Sequence, residues 1–137
     1  MIASIEGQRA LRALRGGALL DQFLGYADPS GPPGIAWVTV CPWRAPETPR
    51  GFMVTLFEVV EVNDFFERPS LERMPALDKS LSRNAAPCRD LGLRTDPRVA
   101  LEFAESITGA TRDRWVTLYK LERQYDEWVS AGRPPLR

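Results

Sequence analysis

The chain contains no histidine. That absence removes the commonest general acid–base and the commonest metal ligand. Cysteine is nearly missing as well: only Cys41 and Cys88 are present, far apart and in no metal-ligand spacing. No metal site and no cofactor are therefore expected. No run approaches the ~20 apolar residues of a membrane span. Residues 1–6 do not read as a signal peptide, because no basic start leads into an apolar core. The expectation is a cytoplasmic protein with both thiols reduced. An excess of either charge is also absent. Acidic and basic residues number 18 each, which argues against a partner held by the field of the whole molecule, such as bulk nucleic acid or an anionic membrane. Local patches are not excluded. Lysine occurs only at 79 and 120, and no function is read from this arginine bias.

Catalytic patterns are missing too. There is no Ser-x-x-Lys and no Gly-x-Ser-x-Gly, and Cys41 before Pro42 reads as a structural thiol. Carboxylate chemistry on Glu58, Glu61 and Asp64 stays open, because paired acids can do acid and base work alone. Their spacing does not single out a pair, and the balance lies against an enzyme.

What is present is an ordinary globular composition, 44% hydrophobic and 26% charged over 137 residues. This suits one domain with one core. The chain centres on residues 34–62. Ile35–Val40 and Phe52–Val62 are rich in β-branched and aromatic residues and bounded by Pro and Gly, which reads as a strand pair. The second run is apolar on both faces. Met53, Phe57 and Val59 point one way; Val54, Leu56, Val60 and Val62 point the other. A strand apolar on both sides needs cover on both sides and belongs in the middle of a sheet.

Around this pair, Ile5 to about Tyr26 reads as helix, interrupted at Gly16-Gly17 by a kink or a break into two. Its stripe runs through Leu11, Leu14 and Ala18 to Leu20, Phe23 and Leu24, with Arg9, Arg12 and Arg15 on the other side as a solvated face. Asp28–Gly34 reads as a loop whose prolines remove the N–H groups a phosphate cradle would use. Pro75 suits a short helix through Leu77 and Leu81. Residues 84–96 read as loop. Asp96-Pro97 is a helix start and Gly109 its stop. Thr111 can cap a final helix to about residue 131, and β-rich Trp115–Tyr119 leaves open a strand passing into helix near Lys120.

The fold expected is a single α+β domain over residues 1–137. It has a small, mostly antiparallel sheet centred on residues 35–62, N- and C-terminal helices packed on it, and the C-terminal helices on one face. For function, Glu58, Glu61, Asp64 and Glu67 make the strongest local charge asymmetry, with Phe65 and Phe66 beside them. Trp43 is a candidate anchor, or else a lid over the sheet edge. Together these residues suggest a protein-binding module of inhibitor, antitoxin or immunity type, facing a partner with a basic surface. The alternative is a helix-turn-helix DNA-binding protein. Thr111, Arg112 and Arg114 would then start the reading helix, although Glu122, Asp126 and Glu127 would repel phosphates.

Overall fold

The structure is a computed structural model that describes residues 5–43, 51–62, 69–80, 86–117 and 120–137. It is an α+β domain. Four antiparallel strands in the order β1-β2-β3-β4 form one sheet: β1 Leu20–Asp28, β2 Gly31–Trp43, β3 Gly51–Val60 and β4 Cys88–Arg94. Three helices flank it: α1 Ile5–Arg15, α2 Pro97–Thr108 and α3 Lys120–Ser130. The two apolar runs are the two central strands, and the second is central as its double-sided patterning requires. β2 and β3 pair without interruption from Gly34–Val60 to Trp43–Gly51.

The sheet is covered on both faces. On one, Ala10, Leu11 and Leu14 of α1 and Ala100, Leu101 and Ala104 of α2 meet Val38, Val40, Val54 and Leu56. On the other, Tyr125 and Trp128 of α3 meet Phe23, Ile35, Trp37 and Val59, together with Leu71 and Met74. Here the structure departs from the expectation that both C-terminal helices share a face: α2 and α3 lie on opposite sides. The aromatic side is tightly interlocked. Trp37 stacks on Phe57 across the β2–β3 pair at 5.0 Å, and Phe23 lies 5.5 Å edge-on to Tyr125 and 5.0 Å from Trp128. Offset and edge contacts of this kind add ~0.5–1.5 kcal/mol each beyond burial.

The N-terminal helix is shorter than its spacing suggests. Gly16-Gly17 is its terminus rather than a kink. Gly17 takes φ 93°, and Ala18 N–H closes back on the Ala13 carbonyl at 3.0 Å. This left-handed stop is most easily met by glycine. Leu20–Asp28 is then a strand. A bulge between Phe23 and Gly25, with Gly25 at φ 83°, breaks the β1–β2 register. It keeps Phe23 and Tyr26, three apart, on the aromatic face, while Leu20 and Leu24, four apart, face the other way. Spacings of three and four are those of a helix, so the bulge imitates one in sequence.

Asp28–Gly34 is not an open loop. Asp28 pairs with Gly31 around a tight turn at Pro29-Ser30, where the Asp28 carboxylate accepts from Ser30 N–H at 2.9 Å. The prolines of the following stretch fall at the start of β2. No helix forms in the described part of 75–80. Ala76 bridges Val59, and Leu77 N–H donates to the Glu58 carbonyl at 3.1 Å, so the chain runs along β3. The stretch expected as loop after residue 84 holds β4. Its polar sequence is that of an edge strand: charges at Arg89, Asp90 and Arg94 and a bulge opposite Val54-Thr55, devices that discourage further pairing. The opposite edge, β1, is closed by the Asp21–Val116 bridge and by Gln124 Oε1, which accepts from Phe23 N–H at 2.9 Å.

The α2 boundaries agree with the sequence reading. Asp96 caps it, accepting from Arg98 N–H at 2.8 Å, and Gly109 ends it at φ 79°. The final helix does not run from Thr111. Arg112–Arg114 is a single 3₁₀ turn, Val116 bridges β1, and α3 begins at Lys120. The β character of Trp115–Tyr119 is realised at Val116, where pairing with Asp21 satisfies backbone groups that a helix would otherwise bond.

Candidate functional site

Antiparallel register sorts the aromatic face into cross-strand rows. Phe23, Trp37, Phe57 and Cys88 form one row, with strand partners in that order. The next is entirely polar: Asp21, Thr39, Thr55 and Asp90, one residue from each strand. Thr39 Oγ1 donates to Asp21 at 2.7 Å and Thr55 Oγ1 donates to Asp90 at 3.0 Å. Each threonine thus turns outward to the nearer carboxylate. The two acids stand three strand spacings apart, ~14 Å, too far to act on one atom. Burial pushes the Asp21 carboxyl above its ordinary value, and Glu72 adds to that, while the Thr39 hydroxyl bond works the other way.

Beyond the polar row the face becomes apolar again. Cys41, Met53 and Leu93 form a third row, and Trp43 pairs with Gly51 beside it. Trp43 is 40% exposed and Leu93 36%. Gly51 lies between them, and a Cβ there would come within 3.0 Å of Leu93 Cδ1. Its missing side chain therefore lets Leu93 close over the strand at Gly51. β4 reaches this arrangement through its bulge, which puts Asp90 and Leu93 on one face despite their odd spacing. The basic residues of the four strands, Arg89 and Arg94, pair with Leu56 and Phe52 and so point to the opposite face. At this end of the sheet the strand charges on the Trp43 face are therefore the carboxylates of Asp21 and Asp90.

The acids singled out in the sequence are placed differently. Glu58 lies on the α1–α2 side of β3, its carboxylate 4.0 Å from Arg89. Glu61 turns the other way and inward. Its side chain is 11% exposed, accepts from Arg133 Nη2 at 3.0 Å and from the Tyr125 hydroxyl at 2.5 Å. Glu58 and Glu61 therefore do not form one surface, and Glu61 is held by the protein's own arginine. Asp64, Phe65, Phe66 and Glu67 lie outside the described residues. Among the described residues of the set, Trp43 is the one that sits in the exposed patch. Sequence reading missed Asp21, Met53, Asp90 and Leu93. Their assembly needs the register of four strands, which no local pattern supplies. Thr55, a polar break in the odd-numbered side of β3, was the one local trace of the polar row.

Two residues of the DNA-binding alternative, Arg112 and Thr111, make contacts within the fold. Glu105 takes Arg112 in a bidentate pair at 2.6 and 2.8 Å and also accepts from Trp115 Nε1 at 3.1 Å. Thr111 is clamped through its backbone by the buried Gln22 amide, at 2.8 Å in both directions. Arg114 belongs to the same 3₁₀ turn, and its carbonyl accepts from Gln124 at 2.8 Å. With α2 and α3 on opposite faces, they are not packed as a helix-turn-helix pair.

Among the described residues no group of three or more His, Cys, Asp or Glu is placed to hold a metal ion. Register sets Cys41 and Cys88 two strands and four residues apart, ~16 Å at ordinary strand spacings, so they cannot bond to each other without rebuilding the sheet. Both are partly buried, and burial raises both thiol pKa values, the opposite of an activated nucleophile. Among the described residues no helix is long and apolar enough to cross a membrane. No protein family, curated protein or solved structure matches this chain significantly, so its site is defined by its own geometry.

Proposed function

We propose that this chain is a protein-binding module of inhibitor, antitoxin or immunity type. It docks through the sheet face around Trp43 and works by occupancy rather than catalysis. The observation that carries this reading is the pairing of Trp43 with Leu93 across Gly51. These are two of the large apolar side chains left exposed, and both neighbour Gly51, Trp43 as its ladder partner and Leu93 by close approach. A large aromatic held on a strand loses little conformational freedom on binding, which is why tryptophan is enriched at interface centres. Asp90 is exposed beside Leu93, and Asp21 is partly exposed farther along the same row. A partner that fits offers an apolar side chain for Trp43 and Leu93, flanked by lysine or arginine for the carboxylates. Opposite charge chiefly speeds encounter and sets register. The partner class, a protein with a basic surface, is the one the sequence suggests; the surface proposed for it is a different one.

The test compares proteins retained from lysate by the immobilised chain and by variants. Trp43→Ser, Leu93→Asp and Asp90→Lys alter the face; Glu102→Lys, exposed on α2, is the control. Support is a protein, identified by mass, that the wild type and the control retain and the face variants bind at least tenfold more weakly, ~1.4 kcal/mol. The Asp90→Lys loss should be mainly in association rate and should shrink at high salt. Retention of the same proteins by all variants overturns the reading, as does retention of none.

A further inference from the structure

The sheet ends at β4, and two features of the molecule are left unfinished there. The first is the strand's own edge. Among the described residues no strand and no bridge lies outside β4, so one row of its backbone N–H and C=O groups lacks a ladder partner. The second is a ridge on α2. Val99, Phe103 and Ile107 recur every fourth residue and share one side of the helix. Phe103 stands over β4: a Cβ on Gly92 would come within 3.2 Å of its ring. Ala100, Leu101 and Ala104 cover the central strands, whereas Val99 is 45% exposed and Ile107 52%. The ridge therefore runs along the rim of the sheet, and its two ends are left in water.

Charge decides what fits beside this rim. Asp90 and Leu93 are exposed on the Trp43 face of β4, while Arg89 and Arg94 lie on the α2 face. Arg94 rests over the Phe103 ring at 3.9 Å and donates to the Leu93 carbonyl at 3.0 Å. The Arg89 side chain is 70% exposed, with Glu58 at 4.0 Å. A second copy of the chain is a poor occupant. Antiparallel pairing of β4 with itself that matches like faces sets Arg89 opposite Arg94 twice, and like charges directly opposite destabilise a ladder.

We propose that β4 accepts an extended segment of the protein partner as a fifth, antiparallel strand. One side of that segment carries acids opposite Arg89 and Arg94, with an apolar residue between them below the ridge of Val99 and Ile107. Its other side carries lysine or arginine opposite Asp90, with an apolar residue beside Leu93. In strand addition the main-chain bonds supply affinity and alternate side chains supply specificity. The charges that discourage indiscriminate pairing of β4 thereby select this pattern. The strand shares Asp90 and Leu93 with the docking face and so rests on that reading; the open edge and the α2 ridge are its own.

The probe is the capped peptide Thr-Glu-Val-Ile-Lys-Glu-Val-Thr, which in the register of β3 sets its first Glu opposite Arg94 and its Lys opposite Asp90. Titrated calorimetrically into the full chain, it should bind one per chain with Kd below ~1 mM. Exchanging its Lys and Glu residues should weaken binding about tenfold or more. N-methylation at alternate residues should abolish binding in one phase only, because the N–H groups of a strand point alternately to its two edges. Ile107→Asp should weaken the peptide about tenfold, and Arg12→Ala, exposed on α1, should leave it unchanged. Amide shifts should centre on residues 91–94 and leave Phe23 on the opposite edge unmoved. No saturable binding up to ~10 mM, equal binding of the charge-exchanged peptide, or equal binding of both methylated peptides overturns the strand. So does a lysate protein whose capture is lost in Trp43→Ser yet unaffected by Ile107→Asp, an outcome that leaves the docking face standing. Peptide binding with these signatures by a chain that captures no lysate protein supports the strand and overturns the docking reading alone.

Discussion

Glu61 and Arg133, 72 residues apart, meet in an ion pair at 3.0 Å that ties the end of β3 to the turn after α3. The Tyr125 hydroxyl completes the carboxylate's shell. Arg133 holds a left-handed φ of 55° directly after Gly132 at φ 87°, a backbone conformation uncommon for arginine. Its N–H closes on the Trp128 carbonyl at 2.9 Å. The chain reversal and the ion pair therefore support each other. Arg133→Met should lower stability by about 2 kcal/mol, because Glu61 loses a charged donor in a place where its side chain is 11% exposed. A double-mutant cycle with Glu61→Gln, followed by chemical denaturation, should return a coupling of about 1 kcal/mol. Strict additivity of the two single changes would refute the coupling.

Asp21 gives a pH signature opposite to that of a salt-bridged acid. Its carboxyl pKa is raised from 3.8 by burial, so the folded state binds the proton more tightly than the unfolded one. The stability from this difference is complete below the unfolded pKa and is lost as pH rises through the folded value. Asp21→Asn keeps an acceptor for the Thr39 hydroxyl and removes the charge. It should melt higher than the wild type at pH 7, and the difference should close as pH falls toward 3.8. A gap independent of pH would contradict this.

Gly25 carries the β1 bulge at φ 83°, while a Cβ there would meet only ordinary contacts at 3.6 Å with Leu136 and Trp128. Gly25→Ala should thus be destabilising for a conformational reason alone, by about 1–2 kcal/mol. Gly132→Ala, at φ 87° with open space around its Cβ, should behave alike. Thermal melts of both variants decide it, and a neutral effect at Gly25 would mean that the bulge can relax.

Two tryptophans on the same strand and the same face should respond in opposite ways. Trp37 is 3% exposed and stacked on Phe57; Trp43 is 40% exposed. Trp37→Ala should cost about 3–5 kcal/mol. Trp43→Ala should stay within about 0.5 kcal/mol, as surface changes do. Equilibrium urea denaturation separates them, and a large loss at Trp43 would identify it as a lid rather than an anchor.

Several elements were legible because their signals are local. The caps of α2 at Asp96 and Gly109 are side-chain and φ requirements of single residues, and they are met where expected. The central position of β3 follows from its apolar residues on both faces. Other elements were misread where a tertiary device imitates another pattern. The bulge at Gly25 gives β1 helical spacing, and the charged edge strand β4 carries no hydrophobic alternation to mark it.

The amino-acid order alone determined an α+β domain with its sheet built on residues 35–62, because strand propensity, double-sided burial and helix capping act over a few neighbours. Only the folded sheet decided which side chains share a surface. Register brings Asp21 and Asp90, 69 positions apart in the numbering, into one row with Thr39 and Thr55, and turns Glu58 and Glu61 apart. Pairing across strands depends on backbone hydrogen bonds that are nearly indifferent to side-chain identity. The composition of a face is therefore a property of the assembled ladder and of its bulges, which no single stretch of the chain contains.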